Sequence, residues 1–119
     1  ALNRAVRLRK NSEFQRVRQQ GQSVASRLLI LAWIPNGEAC SRVGFVVSKR
    51  VAKHAVDRNR TKRRLGEAIR PALEQLPAPY DIVLSARSAA VTVDFPVLRQ
   101  DVISLLRRAR LLKPDQLLL

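Results

Sequence analysis

Residues 42–65 read RVGFVVSKRVAKHAVDRNRTKRRL: an alternating stretch, a basic loop and the start of a long amphipathic run, in direct succession. From Arg42 to Ser48, Val43, Phe45 and Val47 recur at every second position, the period of a strand with one buried face. Lys49 to Lys53 break that period. From about Ala55 the spacing becomes helical and holds to about Leu76, with Leu65, Ala68, Ile69, Ala72, Leu73 and Leu76 as the apolar stripe. Pro77-Ala78-Pro79 ends the helix, and residues 80–86, YDIVLSA, read as a further strand.

The flanks supply the remaining elements. Residues 1–10 are basic and aperiodic, an expected arm. Asn11 or Ser12 reads as a helix cap with Glu13 favourable in the first turn. Phe14, Val17 and Arg18 then fall on one face of a short helix ending at Gly21. Val24 to Ile34 is densely aliphatic. Residues 28–34 are too short for a buried helix and read as a strand, closed by a hairpin turn at Pro35-Asn36-Gly37. Asp94 caps a last helix from about Phe95 to Leu111, with Leu98, Val102, Leu105, Leu106 and Ala109 on one side and Pro114 beyond it. The expected order is helix, strand, strand, helix, strand, helix. That is an α+β domain spanning residues 1–119, a small sheet with helices mainly on one face, and a tail at 114–119.

Charge narrows the function. Lys and Arg number 23 against 9 acids, a formal +14. Self-repulsion on this scale points to a polyanionic partner, and an Arg-rich excess suits phosphate, which a guanidinium grips in bidentate fashion. Eight of the basic residues lie between Lys49 and Arg64 with one acid, Asp57, and five of those eight fall within Arg58–Arg64, at the start of the long helix. Cations at a helix N-terminus are disfavoured by roughly 0.3–1 kcal/mol each, an arrangement that makes sense where phosphates occupy the site. On the helical wheel Arg60 and Arg63 point away from the apolar stripe, Asn59 and Arg64 flank it, and Arg58 and Lys62 lie beyond its first residue, so the cations wrap the helix start.

Other chemistries lack their residues. One cysteine, Cys40, and one histidine, His54, leave no zinc set or thiol–imidazole pair, and the absence of a possible disulfide suits a reducing cytoplasm. Asp57, Glu67 and Glu74 lie along one helix but not at a metal-binding spacing, which argues against a protein-only nuclease. No recognition-helix motif supports duplex DNA. A ribosomal-type RNA-binding protein or RNA chaperone is the alternative that charge alone allows.

The stretch Arg58-Asn59-Arg60-Thr61-Lys62-Arg63 resembles the Arg-Asn-Arg signature of the bacterial ribonuclease P protein component. Arg42 to Arg50 is similar to that family's strand and basic loop, Glu13 to Val17 with Gly21-Gln22-Ser23 to its first helix and turn, and Tyr80 to Arg87 to its late strand. The matches run in family order over roughly residues 7 to 112. The resemblance implies an α/β sandwich with a left-handed βαβ crossover. It implies a protein that joins a catalytic RNA and promotes endonucleolytic removal of the 5′ leader of precursor tRNA, without catalytic residues or a tightly held metal of its own and without an obligate protein partner. Mg²⁺ would be held mainly by the RNA. Lys49, Arg50, Lys53, Arg58, Asn59, Arg60, Lys62, Arg63 and Arg64 would meet the RNA subunit. Phe14, Arg18 and Arg87 would border a cleft for the single-stranded leader. Family members often carry further aromatics near Arg18 and Ala32. Here both are missing, which shifts the expected cleft chemistry towards charge and guanidinium stacking. Trp33, on the opposite sheet face from Ala32, is expected in the core.

Overall fold

The computed structural model describes residues 6–112. Helix α1 (Asn11–Gln20) is followed by strands β1 (Gln22–Ala25), β2 (Leu29–Pro35) and β3 (Arg42–Val46). Helix α2 (Ala55–Leu73), strand β4 (Tyr80–Ala86), a 3-10 turn at Ser88–Val91 and helix α3 (Phe95–Arg108) complete the chain. The sheet runs β1-β2-β4-β3. β2 pairs antiparallel with β1 and with β4, and β3 lies parallel to β4, so β3, α2 and β4 form a strand–helix–strand unit.

Two expectations are corrected. Gln22–Ala25 is a strand that sequence did not show, so the order is α-β-β-β-α-β-α. This edge strand exposes Gln22, Ser23 and Ala25 and half-buries only Val24, so it has almost no apolar alternation. Its pairing is set by the turn after it, where Ser26 Oγ accepts the N–H groups of Leu28 and Leu29, each at 3.1 Å. Second, β2 and β3 do not form a hairpin across Pro35–Gly37, because β4 lies between them. Ile82, Val83 and Leu84 are each at most 1% exposed, and a strand buried on both sides belongs in the middle of a covered sheet.

Strand alternation sorts side chains onto two faces. Leu29, Leu31, Trp33, Val43, Ile82 and Leu84 meet Leu65, Ala68, Ile69 and Ala72 of α2 and Leu98, Val102, Leu105 and Leu106 of α3 in the main core. On the other face Ala32 and Val83 pack with Val17 of α1 and with Leu8. The helical stripes read from sequence face this core, with Leu73, Leu76 and Ala109 only partly buried and Leu76 beyond the end of α2, and Trp33 is core. Boundaries shift. α2 runs through Pro71 and ends at Leu73, with Glu74 at its C-cap, short of the expected Leu76. α3 stops at Arg108, and Arg110 takes a positive φ of 62° just beyond. α1 has Lys10 rather than Asn11 or Ser12 at its cap, and Glu13 supplies the capping oxygen by accepting the N–H groups of Arg9 (3.1 Å) and Lys10 (3.0 Å). Within the expected N-terminal arm, Leu8 donates its N–H to the Val43 carbonyl (3.0 Å) at the outer edge of β3. Residues 1–5 of that arm and the tail at 114–119 lie outside the described residues.

Candidate nucleic-acid interface

A buried ion network places α1 across the sheet. Asp81 on β4 has a wholly buried side chain. It accepts from Arg42 Nε (2.9 Å) and Nη2 (2.8 Å), Asn36 Nδ2 (2.9 Å) and Arg16 Nη1 (3.4 Å). Arg42 Nη1 continues to Glu13 Oε2 at 2.9 Å. The hydrogen bonds to Asp81 hold the Arg42 guanidinium above its ordinary pKa. Glu13 is held below its own, first by the N–H groups of Lys10 and Arg9 and then by the charge of Arg42. Sequence reading missed this network because Arg42 and Arg16 bind an acid 39 and 65 positions away, a separation that no local pattern registers. Their charges are answered within the protein.

With Glu13 and Arg16 turned towards Asp81, Phe14 and Arg18 lie on the other flank of α1. The helix covers the row Ser23, Ala32, Val83 and Gly44, and leaves the next row on the same face, Ala25, Ile30, Ser85 and Val46, open. Ile30 is 39% exposed, unusual for an isoleucine in the middle of a strand. The result is a trough with α1 as one bank and these four residues as its floor. Phe14 reaches the sheet because Gly44 has no side chain; a Cβ there would run into the ring. Arg18 is exposed on the bank above. Arg87, two residues past Ser85, stands on the far side and donates Nη1 to the Ser26 carbonyl at 3.1 Å. All three expected cleft residues therefore border one trough. Its floor was not legible, because which residues of a strand stay uncovered depends on where the helix docks.

The basic set divides by partner. Arg58 Nη1 donates to the carbonyls of Ala52 (3.0 Å) and Lys53 (2.8 Å), bracing the loop before α2. Arg60 Nη2 donates to the Val91 carbonyl at 3.5 Å and lies 3.8 Å from Asp57, and Arg64 Nη2 donates to the Val93 carbonyl. Lys49, Arg50, Lys53, Asn59, Lys62 and Arg63 are exposed, and their side chains have no partner among the described residues. Among the described residues, internal neutralisation of the cluster is thus confined to one long ion pair. His54 is the N-cap residue of α2 and makes no side-chain cap bond, so the helix end stays open to an anion. A cavity of about 850 Å³ at the outer edge of β3 has Phe14 and Gly44 among its walls together with Lys62, Arg63 and Arg64. The aromatic of the trough and the basic helix start, separate in the sequence reading, face one hollow. No group of three or more His, Cys, Asp or Glu side chains among the described residues is placed to hold a metal ion. No described helix is long and apolar enough to cross a membrane.

The family model for ribonuclease P matches residues 2–110. The ribonuclease P protein component of Chloroflexus aurantiacus is 46% identical over 112 residues, covering 93% of this chain and 82% of that one. That of Symbiobacterium thermophilum is 42% identical over 115 residues, covering 96% and 99%. The solved RNase P protein of Staphylococcus aureus superposes with a TM-score of 0.82 at 30% identity, over 92% of this chain and all of that one. The Thermotoga maritima RNase P protein gives 0.76 at 30% identity, over 86% and 96%. An open cationic helix start beside a helix-banked trough, on this sheet order and with these relatives, places the chain in the ribonuclease P protein family, as the protein component of the endoribonuclease that matures the 5′ end of tRNA.

Proposed function

We propose that this chain binds the catalytic RNA of ribonuclease P through the loop 49–53 and the start of α2, and holds the single-stranded 5′ leader of precursor tRNA in the trough beside α1, acting in the cytoplasm. The observation that carries this reading is a set of exposed groups with no partner among the described residues, Lys49, Arg50, Lys53, Asn59, Lys62 and Arg63, of which Lys62 and Arg63 line the same hollow as Phe14. Phosphates answer a charge that the protein leaves unanswered, and each contact releases counterions. Arg58, Arg60 and Arg64 keep donor capacity for phosphate while fixing the loop and helix on which the open groups stand. In the trough, the Phe14 ring and the Arg18 guanidinium offer faces to unstacked bases, a form of binding worth about 1–3 kcal/mol per base and tolerant of sequence.

The protein's RNA-facing groups do not suit Mg²⁺: all but Asn59 are cations, which repel a dication, and the one amide oxygen of Asn59 is too few ligands to hold it. Mg²⁺ belongs on the RNA subunit, whose chemistry hydrolyses the phosphodiester. The protein's share is to raise affinity for leader-bearing substrate over product and to screen backbone repulsion.

The test is RNA-subunit binding as a function of salt. Lys62→Ala/Arg63→Ala should weaken association and flatten the log–log salt slope by about two units, one per lost contact. An unchanged slope in the folded variant refutes the assignment of this face.

A further inference from the structure

Three arginines converge on the β1–β2 hairpin, at the opposite end of the trough floor from the loop before α2. Arg87 Nη1, just past β4, donates to the Ser26 carbonyl at 3.1 Å. Arg108 Nη1, from the last turn of α3, donates to the neighbouring Ala25 carbonyl at 3.0 Å. Arg27 is exposed in the turn itself, with no partner among the described residues. One acid is close: Asp101 Oδ2 accepts the Ser26 hydroxyl at 2.6 Å, and it forms no ion pair with any of the three. Clamping a hairpin explains two donors. It does not explain why both are cations on consecutive carbonyls, where they repel each other, nor why a third stands beside them with nothing to bind. Arg87 and Arg108 each give the protein one guanidinium nitrogen and are otherwise exposed, so most of each donor fork is left for an outside acceptor.

The register says which acceptor can arrive. The open row Val46, Ser85, Ile30, Ala25 crosses the sheet from the strand that leads into Lys49 and Arg50 to the strand that leads into this hairpin. A single strand crossing that floor leaves it at Ala25, beside Arg27, Arg87 and Arg108.

We propose that Arg27, Arg87 and Arg108 form an outlying phosphate site that holds the distal part of a single-stranded leader after it has crossed the trough, so that long leaders bind better than short ones. The proposal rests on the leader assignment above and adds to it a site, a path and a length dependence.

The experiment uses the holoenzyme reconstituted with its RNA subunit and precursor tRNAs bearing no leader, a leader of about 4 nucleotides or one of about 12, within the range of single-strand site sizes. The variant is Arg27→Ala/Arg108→Gln: Arg27 has no partner among the described residues to lose, and Gln can still donate to the Ala25 carbonyl without the charge. The wild type should gain affinity at each step in length. The variant should keep the gain from the short leader, lose roughly threefold or more of the further gain from the long one, and show a salt slope for the long leader flatter by about two units. An undiminished length dependence overturns the site. So does equal weakening of all three substrates, or weaker RNA-subunit binding, since either places the arginines on another partner. A wild type that fails to distinguish leader-bearing from leaderless tRNA instead overturns the trough assignment itself.

Discussion

Asp81 and Glu13 fix α1, the helix that carries Phe14 and Arg18, to the sheet. Asp81 answers most of the Arg42 guanidinium, whose side chain is 23% exposed. Asp81→Asn leaves that cation under-compensated in a mostly buried place, so urea unfolding should show a loss of about 3 kcal/mol, near the lower end for a broken buried pair because some solvent reaches Arg42. Glu13 offers a pH handle. Its folded-state pKa is depressed, so its contribution is complete above the unfolded value of 4.5 and is lost as pH falls through the lower folded value. Glu13→Gln should cost about 1 kcal/mol at neutral pH, where a charge-assisted cap becomes a neutral one. The gap between wild type and variant should close in acid; a gap that stays constant from neutral pH to below the carboxylate range contradicts the assignment. Among the cations assigned to RNA, Arg58 is unlike Lys62. It braces carbonyls, so Arg58→Ala should lower stability as well as RNA affinity, whereas Lys62→Ala should lower affinity alone.

Elements were legible where burial imposes a period. The stripes of α2 and α3 and the alternation of β3 have a regular spacing because each faces one core. β1 was not legible, since an edge strand with one half-buried residue has no period to show. The turn from α1 into β1 depends on close approach. A Cβ at Gly21 would run into the carbonyl oxygens of Val17 and Trp33, and backbone on both sides cannot move aside as a side chain can. Gly21→Ala should therefore displace α1 relative to β2. The expected readouts are a stability loss of about 1–3 kcal/mol and, in the holoenzyme, a larger loss of affinity for leader-bearing than for leaderless tRNA. Equal losses for the two substrates would show that the displacement does not reach the trough.

On the scale of the whole molecule, 23 cations and 9 acids share one small domain, and the free protein carries that repulsion until RNA arrives. Its melting temperature should rise as ionic strength increases from about 0.05 to 0.5 M, where the screening length shortens severalfold. A melting temperature that falls over the same range would show that the internal ion pairs outweigh the surface repulsion. Sequence by itself determined the class of partner, the long basic-headed helix, the buried stripes and the family, because charge density, helical period and a motif with its order and spacing are properties of the chain alone. Only the tertiary structure decided which cations the fold answers and which it leaves open. Arg42 and Arg63 look alike in sequence, but one is answered by an acid 39 positions away and the other by nothing among the described residues. It also decided that β4 separates β2 from β3, and that the row from Ala25 to Val46 lies bare beside α1. The physical reason is the same in each case: pairing and exposure depend on what long-range packing brings near, and neighbours along the chain do not encode it.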